Sequence, residues 1–444
     1  MRTRIALVLA LLAPCPGAAL AAEGDRIVEV HYDGSAAPGE LAYGVTYRAW
    51  FPGGAGRLRG AIVHQHGCGQ GACEGGWTAA EDLQWQALAR KWDCALIGPS
   101  YEQKDGQDCA LWCDPRNGSR SRFLLALRDL GAKAGHPELE GVPWCLWGHS
   151  GGGTWSSLML CSDPGRVVAA WLRSGTALSS QERPGRTPPP AVPDAAYAVP
   201  IVCNPGVREK GDARFHVAWT GAEAMTRAFR AKGAPIAMAP DPTTGHDCGR
   251  SRTLAIPFFD ACLAARLPEE GSPPDAPLRA IDRDGGWRAA LLGDTPVPAG
   301  DFRADPAVAN WLIDERFARA WSAYVRTGTV PDATPPPAPR GLKATRTPEG
   351  VVLTWDTDAD LESGLAAVAI ERDGEELARL PDAATPGDRR LFQGLSYHDT
   401  PSRPVPPPRF VDADPAIPAG ARYRVVAVNG AGGKSEPSAV AVAP

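Results

Sequence analysis

The stretch that most constrains this chain is Trp147-Gly148-His149-Ser150-Gly151-Gly152-Gly153. Ahead of it, Val142 to Trp147 is short, apolar and rich in large side chains, which predicts a buried strand; after it, Trp155 to Leu160 continues with helix formers. Gly148 to Gly152 is therefore a G-x-S-x-G match on a strand-to-helix turn, the context in which that pattern has physical meaning. Such a turn holds its serine in a strained backbone conformation, and small neighbours let the strand and helix approach closely. Ser150 then presents its hydroxyl at a helix N-terminus, where the Gly151 N–H is placed to donate to a developing oxyanion. The competing explanation is a glycine-rich turn with an idle serine, which short patterns also produce.

Around this turn, strand and helix patterns alternate. Strands are predicted at Arg26 to Val30, Leu41 to Phe51, Gly60 to His66 and Ala95 to Gly98, with helices at Trp77 to Lys91 and Ser121 to Ala134. After the serine come strands at Val167 to Arg173, Pro200 to Cys203 and Ile236 to Met238, and helices at Ala222 to Lys232 and Thr253 to Leu267. The alternation predicts an α/β fold, a mostly parallel sheet with helices on both faces and its functional groups at the carboxyl ends of the strands. Residues 270–334 are rich in Pro and Gly and then helical in pattern from Pro306 to Arg326, an extension packed on residues 23–269. Residues 335–339 form a stiff proline linker. Beyond it, Val351 to Trp355, Ala367 to Arg372, Glu376 to Leu380, Arg422 to Asn429 and Ala439 to Val442 read as short strands without cysteine, so residues 335–444 are expected to form an all-β sandwich.

A serine hydroxyl is a weak nucleophile and needs a base to take its proton and a third group to orient that base. In this fold class the order is serine, acid, histidine. His246, in Thr243-Thr244-Gly245-His246-Asp247-Cys248-Gly249 directly after the last predicted sheet strand, is the candidate base; His216, beside Phe215 and Val217, is expected to be partly buried structure. The acid should follow the Pro200 to Cys203 strand, and both Glu209 and Asp212 qualify: Glu209 has the shorter offset, Asp212 the commoner side chain, with Glu209 preferred. The loop His66-Gly67-Cys68-Gly69 after the third strand offers the Cys68 N–H as a second oxyanion donor. His64 and His66 lie two apart on a strand, but the ligands that would complete a metal site do not follow. No metal or organic cofactor is required.

A net charge of −5 with no basic run excludes a nucleic-acid partner. Arg2 and Arg4, the apolar run Ile5 to Ala13 and the small residues ending in Ala19-Leu20-Ala21 read as a signal peptide over residues 1–22, too short to span a bilayer. The protein is thus expected to be secreted or periplasmic and not transmembrane. Of 11 cysteines, Cys15 falls in that segment and the others lie between Cys68 and Cys262. An even number in an exported chain favours disulfides; Cys68 with Cys73 and Cys109 with Cys113 are close in sequence, whereas Cys145 and Cys203 fit a buried apolar role.

Residues 40–268 resemble α/β-hydrolases related to polyhydroxyalkanoate depolymerases and feruloyl or acetylxylan esterases, in His66-Gly67-Cys68-Gly69-Gln70, Gly148-His149-Ser150-Gly151-Gly152 and Gly245-His246. His149 ahead of the serine departs from that pattern, and Pro99-Ser100-Tyr101-Glu102-Gln103 matches it only loosely. Leu353-Thr354-Trp355, Ile370 to Gly374, Tyr397-His398-Asp399-Thr400 and Tyr423 to Asn429 resemble a fibronectin type III module, usually a spacer or binding surface. The resemblance implies a serine hydrolase acting on carboxylic esters through an acyl-enzyme, on a substrate linked to a polysaccharide or polyester. Trp77, Trp112 and Tyr101 are candidates to hold a sugar or phenolic ring, with core packing as their alternative role. A serine peptidase on the same fold and a non-catalytic binding protein are the other readings.

Overall fold

A computed structural model describes residues 24–176, 188–269, 275–381, 392–404 and 408–444. The expected signal peptide at residues 1–22 lies outside the described residues. The amino-terminal strands are β1 (Arg26–Tyr32), β2 (Val45–Phe51), β3 (Gly60–Gln65), β4 (Cys94–Tyr101), β5 (Trp144–His149), β6 (Val167–Arg173), β7 (Ile201–Asn204) and β8 (Ile236–Met238). They form one sheet in the order β1-β2-β4-β3-β5-β6-β7-β8. β1, β2 and β4 pair antiparallel, and every later pairing is parallel. This is an α/β-hydrolase sheet.

The central strands are continuous apolar runs because both faces are covered. Side chains of β5 alternate between them: Trp144 and Leu146 enter one core with Phe123, Trp155 and Met159, while Cys145 and Trp147 enter the other with Trp85, Trp171 and Phe259. The helices that cover the faces are α1 (Gln70–Thr78), α2 (Leu83–Lys91), α3 (Ala110–Cys113), α4 (Ser119–Ala134), α5 (Gly151–Ser162), α6 (His216–Arg230) and α7 (Arg252–Arg266). Where one helix is expected from Trp77 to Lys91, the chain makes two, α1 and α2. A 3-10 turn at Ala79–Glu81 separates them, and the Asp82 carboxylate accepts from the Gln84 and Trp85 N–H groups at 3.0 and 3.1 Å, starting α2 afresh.

The helical pattern expected from Pro306 to Arg326 is likewise divided. Ala309–Leu312 is a buried strand, β11, paired with β9 (Trp287–Ala290), which also pairs with β10 (Val297–Pro298); only Glu315–Thr327 is helix, α8. Burial against β8 overrides the helical period there. The Asn310 side-chain oxygen accepts from the Met238 N–H at 2.7 Å, and Trp321 Nε1 donates to the Met238 carbonyl at 3.0 Å, so this segment satisfies the outer edge of the sheet.

Past the linker, a fibronectin type III-like sandwich is built from β12 (Arg340–Thr347), β13 (Gly350–Asp356), β14 (Leu365–Arg372), β15 (Glu375–Leu380), β16 (Arg409–Asp412), β17 (Arg422–Asn429) and β18 (Ala441–Val442). Sheets ordered β12-β13-β16 and β15-β14-β17-β18 face each other over Leu353, Trp355, Val368, Ile370, Tyr423 and Val425. No helix among the described residues is long and apolar enough to cross a membrane.

Candidate active site

Ser150 sits between β5 and α5 at φ 54° and ψ −116°, a left-handed conformation that a residue with a side chain adopts only under constraint. Close packing supplies the constraint. A Cβ on Gly148 would strike the Gly152 carbonyl, and one on Gly152 would strike the Gln65 and His66 carbonyls. The strand, the turn and the loop after β3 can meet only where side chains are absent. In that loop, a Cβ on Gly67 would lie 3.2 Å from Ser150 Cβ, and a Cβ on Gly151 would strike Cys68 Sγ. Cys68 and Gly151 are thus adjacent, and both line the cleft that contains Ser150.

His246 follows β8 on an irregular loop, and its Nε2 lies 2.8 Å from Ser150 Oγ. Its Nδ1 lies 2.5 Å from Glu209 Oε1. A carboxylate only accepts, so Nδ1 carries the proton and Nε2 is left to accept from the serine hydroxyl. Glu209 is fully buried, and its second oxygen accepts from the Gly206 N–H at 3.0 Å. Phe215 stacks on the imidazole with ring centroids 3.8 Å apart, fixing its plane. The structure therefore brings Ser150, His246 and Glu209 into one hydrogen-bonded line at the carboxyl edges of β5, β7 and β8.

Asp212 is not part of that line. Its Oδ1 accepts from the Arg214 and Phe215 N–H groups at 2.7 and 2.9 Å, just ahead of α6, and the side chain is exposed. Those backbone donors hold its carboxyl below the usual range. Of the two acid candidates, the structure favours Glu209. His216, expected to be partly buried, is an exposed residue at the start of α6, because α6 begins there rather than at Ala222.

Three carbonyls of the His246 loop are held from behind. Arg173, at the end of β6 and fully buried, donates through Nη2 to Gly245 O at 3.1 Å, to Thr244 Oγ1 at 2.8 Å and to Asp247 O. His149 Nε2 donates to His246 O at 2.6 Å. Burial first, then the nearby His246, His398 and Arg173, push His149 well below the ordinary histidine range, so it is neutral. Arg173 closes an otherwise apolar strand, and that lone charge is the sequence signal for its role. His149 is visible as a departure from the family pattern.

The cysteines pair differently from either short-range pairing the spacing allows. Cys68 is bonded to Cys109, with Cα atoms 5.7 Å apart, and Cys73 is not cross-linked. The bond ties the loop after β3 to the segment leading into α3. Cys145 and Cys203 are buried and unbridged. His64 stacks on Trp147 at 3.9 Å, and His66 packs against Tyr101 and Trp112, with burial pushing its imidazole down to about 3. Neither lines the cleft over Ser150. Trp112 and Tyr101 stack on each other at 4.6 Å inside the protein rather than facing a ligand, whereas Trp77 is exposed beneath the Arg48 guanidinium at 3.9 Å.

A cleft opens over Ser150 and His246. Its lining is mixed, with polar Asp114, Asn117, Thr154 and Ser174 and apolar Leu158, Phe215 and Val217. Arg116 also lines it but is engaged bidentately by Asp114 at 2.8 and 2.6 Å.

No protein-family model and no curated protein matches this sequence. Among solved structures it is similar to an S-formylglutathione hydrolase from Agrobacterium tumefaciens, at 13% identity over 54% of this chain and 94% of that one, with a TM-score of 0.35. A ferulic acid esterase is similar at 13% identity over 50% of this chain and 92% of that one, with a TM-score of 0.34. An Fn3-like protein from Clostridium thermocellum is similar at 18% identity over 25% of this chain and 94% of that one, with a TM-score of 0.17. Likenesses this weak assign no activity, and the functional reading stands on the geometry.

Proposed function

We propose that this chain is a serine hydrolase that cleaves carboxylic esters through an acyl-enzyme. The observation that carries this reading is the line Ser150 Oγ to His246 Nε2 at 2.8 Å and His246 Nδ1 to Glu209 Oε1 at 2.5 Å, set on a strained strand-to-helix turn. Ser150 attacks the ester carbonyl while its proton passes to His246 Nε2, and the buried Glu209 carboxylate stabilises the imidazolium. The carbonyl oxygen becomes an oxyanion between the Cys68 and Gly151 N–H groups, the latter at the N-terminus of α5. Collapse of the tetrahedral intermediate breaks the ester C–O bond, and His246 returns the proton to the departing alcohol. Water then repeats the sequence on the acyl-enzyme and frees the acid. The cycle uses protein groups and water alone.

The finer reading is a depolymerase- or feruloyl/acetylxylan-esterase-type enzyme acting on polysaccharide- or polyester-linked esters. The oxyanion and elbow motifs support it, together with a cleft lined by both polar and apolar residues. Export is part of the same proposal, supported by the basic and apolar residues at the start of the chain and by the Cys68–Cys109 disulfide, which suits an oxidising compartment. So is the division into residues 23–269, 270–334 and 335–444.

Turnover of p-nitrophenyl acetate tests the activity. Ser150→Ala should lower kcat by roughly 10⁴-fold or more, and a fluorophosphonate should label the wild type but not the variant. Wild-type protein that turns over no ester, or a variant as active as wild type, refutes the assignment. Hydrolysis of a peptide amide in preference to the ester replaces it with the peptidase reading. A panel of acetyl, feruloyl and hydroxybutyrate esters ranks the substrate classes.

A further inference from the structure

Besides the contacts of Asp358 with Arg90 and of the Leu361 carbonyl with Gln84, a short segment of the sandwich reaches into the hydrolase. Gln393 Oε1 accepts from the Leu83 N–H at 2.8 Å and its Nε2 donates to Glu81 O at 2.7 Å; Thr78 Oγ1 donates to Pro401 O at 2.5 Å. Between those anchors the chain folds back on itself, with Leu395 bridged to Pro401 and the Ser396 N–H donating to Thr400 O at 2.7 Å. The tip of the fold is Tyr397-His398-Asp399. Asp399 is fully buried, and its Oδ1 accepts from Arg252 Nε at 2.8 Å while Oδ2 lies 3.3 Å from Trp85 Nε1 and 3.4 Å from His64 Nε2. Arg252 is also held by Asp82 at 2.6 Å, which makes a buried cation between two carboxylates, one from each region.

This anchoring puts two groups of the sandwich against the back of the candidate site. The Tyr397 carbonyl accepts from the Cys248 N–H at 3.2 Å, two residues beyond His246. His398 Nδ1 lies 2.9 Å from His149 Nδ1. Two bare ring nitrogens would repel each other, so one must carry a proton. His149 Nε2 faces a carbonyl, which only accepts, so the single proton of neutral His149 is on Nε2 and its Nδ1 is bare. The donor across the 2.9 Å contact is therefore His398 Nδ1–H.

On the reading that Ser150, His246 and Glu209 perform hydrolysis, we infer that His398 is a positioning residue. Its Nδ1–H orients His149 in the tautomer that the His246 carbonyl selects, and His149 Nε2–H in turn holds the His246 main chain, so the sandwich completes the hydrolytic site instead of serving as a detached spacer. Nothing transfers a proton along this path; it acts by geometry. The relevant sensitivity is large, because a displacement of about 1 Å of a reacting group costs on the order of 100-fold in rate. Burial first, then the nearby His246 and His64, push His398 down to about 4, so it stays neutral where such an enzyme would work.

The test compares two variants of the full chain. His398→Phe keeps a ring but removes the donor, and should lower kcat for p-nitrophenyl acetate by roughly 10- to 100-fold with KM within about threefold, slowing fluorophosphonate labelling of Ser150 in parallel. His398→Asn places an amide N–H near the lost Nδ1–H and should recover the rate to within about fivefold of wild type. His398→Phe within twofold of wild type, or His398→Asn as impaired as His398→Phe, overturns the inference. Loss of activity in Ser150→Ala shows separately that the hydrolytic reading stands; activity retained there sinks that reading and not the packing described here. Imidazole ¹⁵N spectra of the wild type provide a check that needs no variant to fold: His149 should be the Nε2–H tautomer and His398 the Nδ1–H tautomer, and the reverse assignment overturns the inference.

Discussion

Two loops bring an imidazole to the serine turn, and they treat it in opposite ways. The loop after β8 presents His246, whose far nitrogen meets the buried Glu209 carboxylate, so a proton gained on Nε2 is offset by a fixed negative charge. The loop from the sandwich presents His398, whose near nitrogen meets another neutral imidazole and whose surroundings disfavour charge. A histidine serves as a base when a third, anionic group stands behind it. Without one, the same side chain 2.9 Å from the turn residue His149 is a strut.

The comparison breaks first at the carboxylate. Glu209→Gln removes the anion but keeps the shape, and kcat for a small ester should fall roughly 10³- to 10⁴-fold with little change in KM. A fall under tenfold would mean that His246 does not depend on its partner. The strut side is tested through its anchor. Asp399→Ala leaves buried Arg252 with a single carboxylate, and chemical denaturation should show a loss of about 3–5 kcal/mol. An unchanged midpoint would mean that the sandwich is not held by this charge.

The acid limb of stability gives a second view of the same anchor. Asp399 is penalised by burial but held below its ordinary value by Arg252 and His64. Its folded pKa is thus below its unfolded one, so its contribution is present above the unfolded value of about 4 and is lost as the pH falls through the folded value. Asp399→Asn should flatten the loss of stability below about pH 4, and an identical acid limb would count against the assignment.

Smaller effects sharpen the edges of the picture. Replacing both Cys68 and Cys109 by Ala opens a loop with a sequence separation of 41, which should lower stability by about 2–4 kcal/mol and loosen the oxyanion loop without abolishing turnover. Asp212→Asn should change kcat by no more than about twofold, because that side chain caps backbone N–H groups ahead of α6 instead of touching His246. A large fall in kcat there would reverse the order of the two acid candidates.

Different parts of this arrangement were legible in the sequence to different degrees. Strand β6 and strand β8 fall where their apolar runs predict them, and the turn at Ser150 is written in Gly148, Gly151 and Gly152. Glu209 and Asp212 were not separable, since both follow β7 at offsets that a loop can accommodate; what separates them is that one points inward and the other is exposed and accepts from backbone N–H groups ahead of α6. The break between α1 and α2 at Asp82 was missed because an apolar period continues across it. The strand at Ala309–Leu312 was missed because its apolar residues also fit a helical period, and only the unpaired edge of β8 decides between them.

The amino-acid sequence alone determined the α/β alternation, the strained serine turn and the order of the candidate groups along the chain, because these follow from steric and periodic rules acting over a few residues. The tertiary structure decided which carboxylate faces His246, that Cys68 bonds Cys109, and that His398 meets His149. Those outcomes depend on how buried charges and packed faces find partners far along the chain, and short-range pattern holds no record of that distance.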